Sequence, residues 1–189
     1  MKAFRISFVF LSLVSSAAFA ADADISLTND SAKGQINFFG ATSDMQLGAG
    51  YTYQESNHRI DNVHVGNLDF HAQGRTAVGN LPTTAGLGFR AIGWDTDRLD
   101  GGAVGLGGFA TVNIPDAPGL SFTGGLHYAP SILAFGDSED MTSLELRANY
   151  RVIRNAEIFA GYRYLNTDLE NRRDINLDEG VIVGMKLFF

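Results

Sequence analysis

Gly180-Val-Ile-Val-Gly-Met-Lys-Leu-Phe-Phe189 closes the chain. At the two-residue period of a strand, Val181, Val183, Met185, Leu187 and Phe189 share one face. That face is wholly apolar and finishes on an aromatic. Gly180, Ile182, Gly184, Lys186 and Phe188 share the other, which carries two glycines and a lysine. A water-soluble sheet also alternates, but it seldom stops on two phenylalanines with no polar tail. A bilayer accounts for both faces: apolar side chains meet lipid, small and charged ones meet a lumen, and the aromatic end sits among headgroups. The stretch predicts the closing strand of a Gram-negative outer-membrane β-barrel. Such proteins typically end in Phe, so the five apolar residues are also the expected signal for the barrel-assembly machinery.

The other end of the chain agrees. Lys2 and Arg5 precede an apolar run, Ile6 to Val14, and small residues lead to Ala18-Phe-Ala20. This is the pattern of a secretory signal peptide over residues 1–20, cleaved after Ala20, and it is too short for a membrane anchor. Residues 21–189 then form one domain. The leader holds two of the 14 basic residues and none of the 21 acidic ones, taking the net charge from −7 to −9. An acidic chain with no basic run excludes nucleic acid as a natural partner. With no cysteine, disulfides, thiolate metal sites and thiol nucleophiles are excluded too.

Beyond the leader no apolar run is long enough for a membrane helix. Hydrophobic residues nonetheless make up 45% of the chain and come in short alternating runs laced with glycine, as membrane strands require. Clean examples are Met45 to Tyr53, Ala85 to Ala91, Leu120 to Tyr128, Leu144 to Val152 and Ile158 to Tyr164. Val63 and Val65 fall out of phase with Leu68, Phe70 and Ala72, which predicts a β-bulge near Gly66-Asn67. Short connections at 41–44, 79–83, 114–118 and 153–155 alternate with longer, charged ones at 55–62, 94–101, 130–140 and 166–174. The reading is an antiparallel up-and-down transmembrane barrel of ten strands, or eight if weak runs merge. Tyr53, Trp94, Tyr128, Tyr164 and Phe189 would form its aromatic girdles, although Trp94 has lumen parity and fits only if its strand bends.

Charge lies on the opposite parity. Arg90, Glu145, Arg147, Glu157, Arg163 and Lys186 are all expected in the lumen. They admit two readings, a charged constriction that selects solutes or a polar plug in a barrel too narrow to conduct. His127 is expected near the outer rim with Ser131 and Asp137 downstream, without any spacing that defines a catalytic set. His58, His64 and His71 form no pair with ligand spacing, so no metal or cofactor is expected. Asp95, Asp97 and Asp100 beside Gly101 lack the full calcium-loop pattern. Together with Asp137, Glu139, Asp140, Asp168, Glu170, Asp174, Asp178 and Glu179 they predict an acidic outer rim. Such a rim could share divalent cations with lipopolysaccharide, with Arg172 and Arg173 contacting phosphate.

His127-Tyr-Ala-Pro130, Glu145 to Tyr150, Gly161-Tyr-Arg-Tyr-Leu-Asn166 and the Phe-terminated last strand resemble the YfaZ family of predicted outer-membrane proteins. The resemblance implies a porin-like barrel in the outer membrane. The chain as a whole reads as a monomer, exported through the periplasm and embedded in outer-membrane lipid and lipopolysaccharide. It implies no catalytic residues. Two other classes stand beside that reading: a lipid- or peptide-directed barrel enzyme, and a lipopolysaccharide- or cation-binding surface module. A soluble lipocalin-like barrel is the structural alternative.

Overall fold

The computed structural model describes residues 20–40, 44–55, 62–96, 99–169 and 174–189. The leader up to residue 19, most of the 41–44 and 55–62 connections, Asp97, Glu170, Arg172 and Arg173 lie outside the described residues.

Alternating sequence becomes strand throughout. In chain order the strands are β1 (Ala21–Leu27), β2 (Ser31–Phe39), β3 (Met45–Gln54), β4 (Val63–Val78), β5 (Leu81–Asp95), β6 (Asp100–Asn113), β7 (Leu120–Ala129), β8 (Ala134–Gly136), β9 (Ser138–Ile153), β10 (Ala156–Leu169) and β11 (Asp174–Phe188). A single turn of 3-10 helix, Ser131–Leu133, precedes β8. Each wall strand pairs antiparallel with the next, β7 pairs directly with β9, and β1 pairs with β11 to close the ring. The short β8 lies against the start of β6 and adds no wall strand. The wall is therefore a closed ten-stranded barrel.

Closure sorts the ends. β1 begins and β11 finishes at the same end, where the connections are short. Gly79, at φ 60°, makes the tight turn between β4 and β5, and Gly119, at φ 94°, leads into β7. We call this the turn end, and its opposite the loop end.

Closure also turns the molecule inside out relative to a soluble protein. Leu68 (63% exposed), Leu87 (76%) and Val181 (69%) look outward, whereas Lys33 (6%) and Arg163 (4%) are buried. A belt of apolar side chains circles the wall, far larger than the isolated patches a soluble monomer exposes. Backbone groups are satisfied strand to strand, as hydrocarbon demands. The fold is a transmembrane barrel; a lipocalin would bury the apolar face.

Three local expectations need correction. β4 pairs with β3 and β5 without interruption, so no bulge occurs at Gly66-Asn67. Val63 and Val65 are instead buried inside the lumen. Trp94 keeps its lumen parity at 3% exposure and is no girdle residue. A register shift does occur in β11, where Leu165 pairs with Asp178 and Asn166 with Asn176. Leu177 is the extra residue, and the bulge turns it inward beside Asp178, which has lumen parity already.

Candidate functional site

The lumen has three layers. At the loop end Val63, Val65, Ile92, Trp94, Ala103, Ala129, Met141, Leu165 and Leu177 pack into one apolar cluster, flanked by Leu99, Ala134, Leu169 and Ile175. Seven of the ten wall strands, β4 to β7 and β9 to β11, contribute to it. The Trp94 indole crosses from β5 and donates from Nε1 to Ser138 Oγ on β9 at 2.8 Å. This layer is apolar, a feature that neither sequence reading of the lumen, a charged constriction or a polar plug, included.

The middle layer is built of ion pairs. Arg90 grips Asp69 with Nε to Oδ1 at 2.6 Å and Nη2 to Oδ2 at 3.2 Å, and also donates to Ser143 Oγ. Glu145 is the hub: Arg147 contacts it through Nε, Arg163 Nε lies at 3.2 Å and Lys33 Nζ at 3.8 Å. Arg163 also donates to Asp178 Oδ2 at 2.7 Å and to Ser26 Oγ. Arg147 reaches Asp24 on β1 at 3.4 Å, and its guanidinium lies 4.2 Å over the Phe159 ring. Nearer the turn end, Lys186 pairs with Asp22 and Arg151 with Glu157. Arg90, Glu145, Arg147, Glu157, Arg163 and Lys186 thus all point inward. Sequence reasoning missed Asp22, Asp24, Lys33 and Asp69, although each shares the parity of the lumen glycines and amides. Asp178, expected on the rim, shares the lumen parity of Gly180 and Ile182 and is buried in this network.

Glycines make room for the network. A Cβ at Gly48 would stand 2.7 Å from both Asn37 Oδ1 and Gln35 Nε2. Gln35 instead lies across β3 to accept from Asn67 Nδ2 at 3.0 Å and donate to Asp69 at 2.9 Å.

The third layer is a cup. A polar cavity of about 340 Å³ opens at the turn end, its mouth ringed by Phe39, Gln46, Asn113, Ser121 and Phe188. His71 and His127 line it, with their Nε2 atoms 2.8 Å apart. This corrects two expectations. His127 is not associated with Ser131, which is exposed, or with Asp137, whose carboxylate accepts from the Asp100 backbone. His71 is not isolated. No sequence signal shows the pairing, because strand register sets it.

Outside the lumen, Asp168 faces Asp140 on β9 and Asp174 on β11 in one rung at the loop end. Burial, then the two facing carboxylates, raise its pKa above the ordinary value. Among the described residues no group of three or more His, Asp or Glu side chains is arranged to hold a metal. Val181, Val183, Met185 and Leu187 face outward, and Phe189 is 75% exposed.

Three solved structures of similar fold are distant in sequence. The outer membrane channel DcaP of Acinetobacter baumannii is 13% identical, with a TM-score of 0.43 over 88% of this chain and 54% of that one. The KdgM porin is 10% identical, with a TM-score of 0.45 over 90% and 99%. The outer membrane protease OmpT of Escherichia coli is 9% identical, with a TM-score of 0.47 over 94% and 99%. The chain spans only about half the length of DcaP. These likenesses carry nothing about activity. No curated protein sequence matches the chain. The profile of one family, described as YfaZ precursor, matches residues 1–189, the whole of the sequence, and the chain belongs to the YfaZ family.

Proposed function

We propose that this protein is a monomeric outer-membrane barrel that does not conduct: a closed scaffold whose polar cup opens to the periplasm. The outer membrane is where closed antiparallel barrels with short turns on the periplasmic side reside. The turn end is then periplasmic, and the acidic loop end faces outward among lipopolysaccharide headgroups. The apolar face of Val181 to Phe189 serves as the assembly signal. Phospholipid and lipopolysaccharide are the standing partners.

One observation supports the reading against a porin-like channel: the buried apolar cluster that seven strands build in the lumen at the loop end. Hydrated ions cross charged constrictions, but a packed hydrophobic layer offers them no ligands and excludes water. Beneath it, the fixed charges pair with one another instead of lining an open path.

Planar-bilayer recording tests this. Wild-type protein should give no steady conductance. Trp94→Ala combined with Leu177→Ala should open one by removing two large side chains of the seal. A steady wild-type conductance whose ion selectivity changes in Glu145→Gln or Arg147→Gln would restore the passive channel.

A further inference from the structure

We propose that His71 and His127 form a binding site for a divalent transition-metal cation that enters through the cup. The argument starts with register. His71 on β4 stands opposite Gly88 on β5, Gly88 opposite Gly107 on β6, and Gly107 opposite His127 on β7. One rung of the wall therefore reads His-Gly-Gly-His. The two intervening strands present no side chain to the lumen at this level. A Cβ at Gly88 would lie 2.8 Å from His71 Cα, and one at Gly107 would lie 2.7 Å from His127 Cα. Those glycines let imidazoles on non-adjacent strands lean over the wall and meet.

They meet through the atoms that matter. The two Nε2 atoms are 2.8 Å apart, and each residue is only 3% exposed. Two imidazole ligands about 2.1 Å from one cation stand about 3 Å apart at a right angle, so a small rotation of the rings admits the ion. As a neutral pair, the two rings satisfy one donor and one acceptor. Each Nδ1 is left with no hydrogen-bond partner among the described residues. A cation held by both Nε2 atoms replaces one shared proton with two strong bonds.

The chemistry selects the ion. Imidazole suits zinc, copper and nickel, whereas calcium and magnesium take oxygen. The cup supplies water for the remaining positions. Asp69, two residues from His71 on the same face, supplies negative charge that offsets its partner Arg90. Phe109, its ring centroid 5.3 Å from that of His71 and nearly perpendicular to it, walls the site on one side.

Titration of tag-free, lipid-reconstituted protein with Zn²⁺ and Cu²⁺, followed calorimetrically, tests the proposal. A single site is expected, weakened at least about tenfold by either His71→Ala or His127→Ala. His64→Ala, on the outward face, should leave it unchanged. Circular dichroism establishes that each variant keeps its strands. Electron paramagnetic resonance of Cu²⁺-loaded wild type should show two coordinating imidazole nitrogens, a result independent of any variant. Absence of binding, equal affinity in both lumen variants, or a spectrum without two imidazoles would overturn the site.

Discussion

Trp94 is the only tryptophan in the chain, and it sits inside the seal rather than at the lipid interface. Its emission should be blue-shifted, and neither aqueous acrylamide nor brominated lipid tails should quench it strongly. A girdle tryptophan would respond to the lipid quencher, which makes the experiment decisive about where the ring points. Trp94→Phe keeps an aromatic ring but loses the indole N–H bond to Ser138 and some buried volume, so it should destabilise by at least about 1 kcal/mol. Parity alone placed Trp94 in the lumen; what parity could not supply was its partner, which stands 44 residues away on β9. Glu145 is the other residue on which much depends. Arg147, Arg163 and Lys33 all converge on it. Glu145→Gln leaves three cations around a neutral amide and should cost about 3–5 kcal/mol, read by urea unfolding in lipid vesicles.

Among the elements, β5 shows why the fold was legible. Its alternation continues from the turn end to the seal, and the same rule sorts every wall strand. Leu87→Arg puts a charge into hydrocarbon near mid-depth and should cost about 2–4 kcal/mol, with Leu106→Ser, also on the lipid face, costing far less. β4 and β11 show where the rule stops. Val63 and Val65 read as lipid-facing because apolar residues usually are, but beyond the polar network the lumen itself turns apolar. The Leu177 bulge has no composition of its own, so only pairing with β10 reveals it. The rung of Asp140, Asp168 and Asp174 adds a pH signature. A carboxyl whose pKa is raised on folding binds more protons in the native state than in the unfolded one. Stability therefore falls as pH rises from the unfolded pKa through the folded one, and is regained as pH drops. Asp168→Asn should raise stability at neutral pH and low salt, and the gain should shrink in acid or in high salt.

For the whole molecule the two ends are unequal, which no single strand discloses. Ten short amphipathic segments announce a barrel; whether its bore is open depends on side chains from seven strands meeting at one level. The His71–His127 rung is hidden for the same reason. Because the chain has no cysteine, single thiols can report each end without background. Thr111→Cys places one in the cup, and Ile132→Cys places one at the loop end, where Ile132 is 87% exposed. In sealed vesicles of any orientation mixture, a small membrane-impermeant thiol reagent added outside should label complementary fractions. Molecules with the loop end out react at position 132, those with the turn end out react at position 111, and the two fractions sum to one. A through-bore would let the reagent reach position 111 from both sides and enter the vesicle, driving both positions to completion. Complementary fractions in the parent, giving way to complete labelling in Trp94→Ala with Leu177→Ala, would locate the barrier in the apolar layer and leave the cup open on one side only.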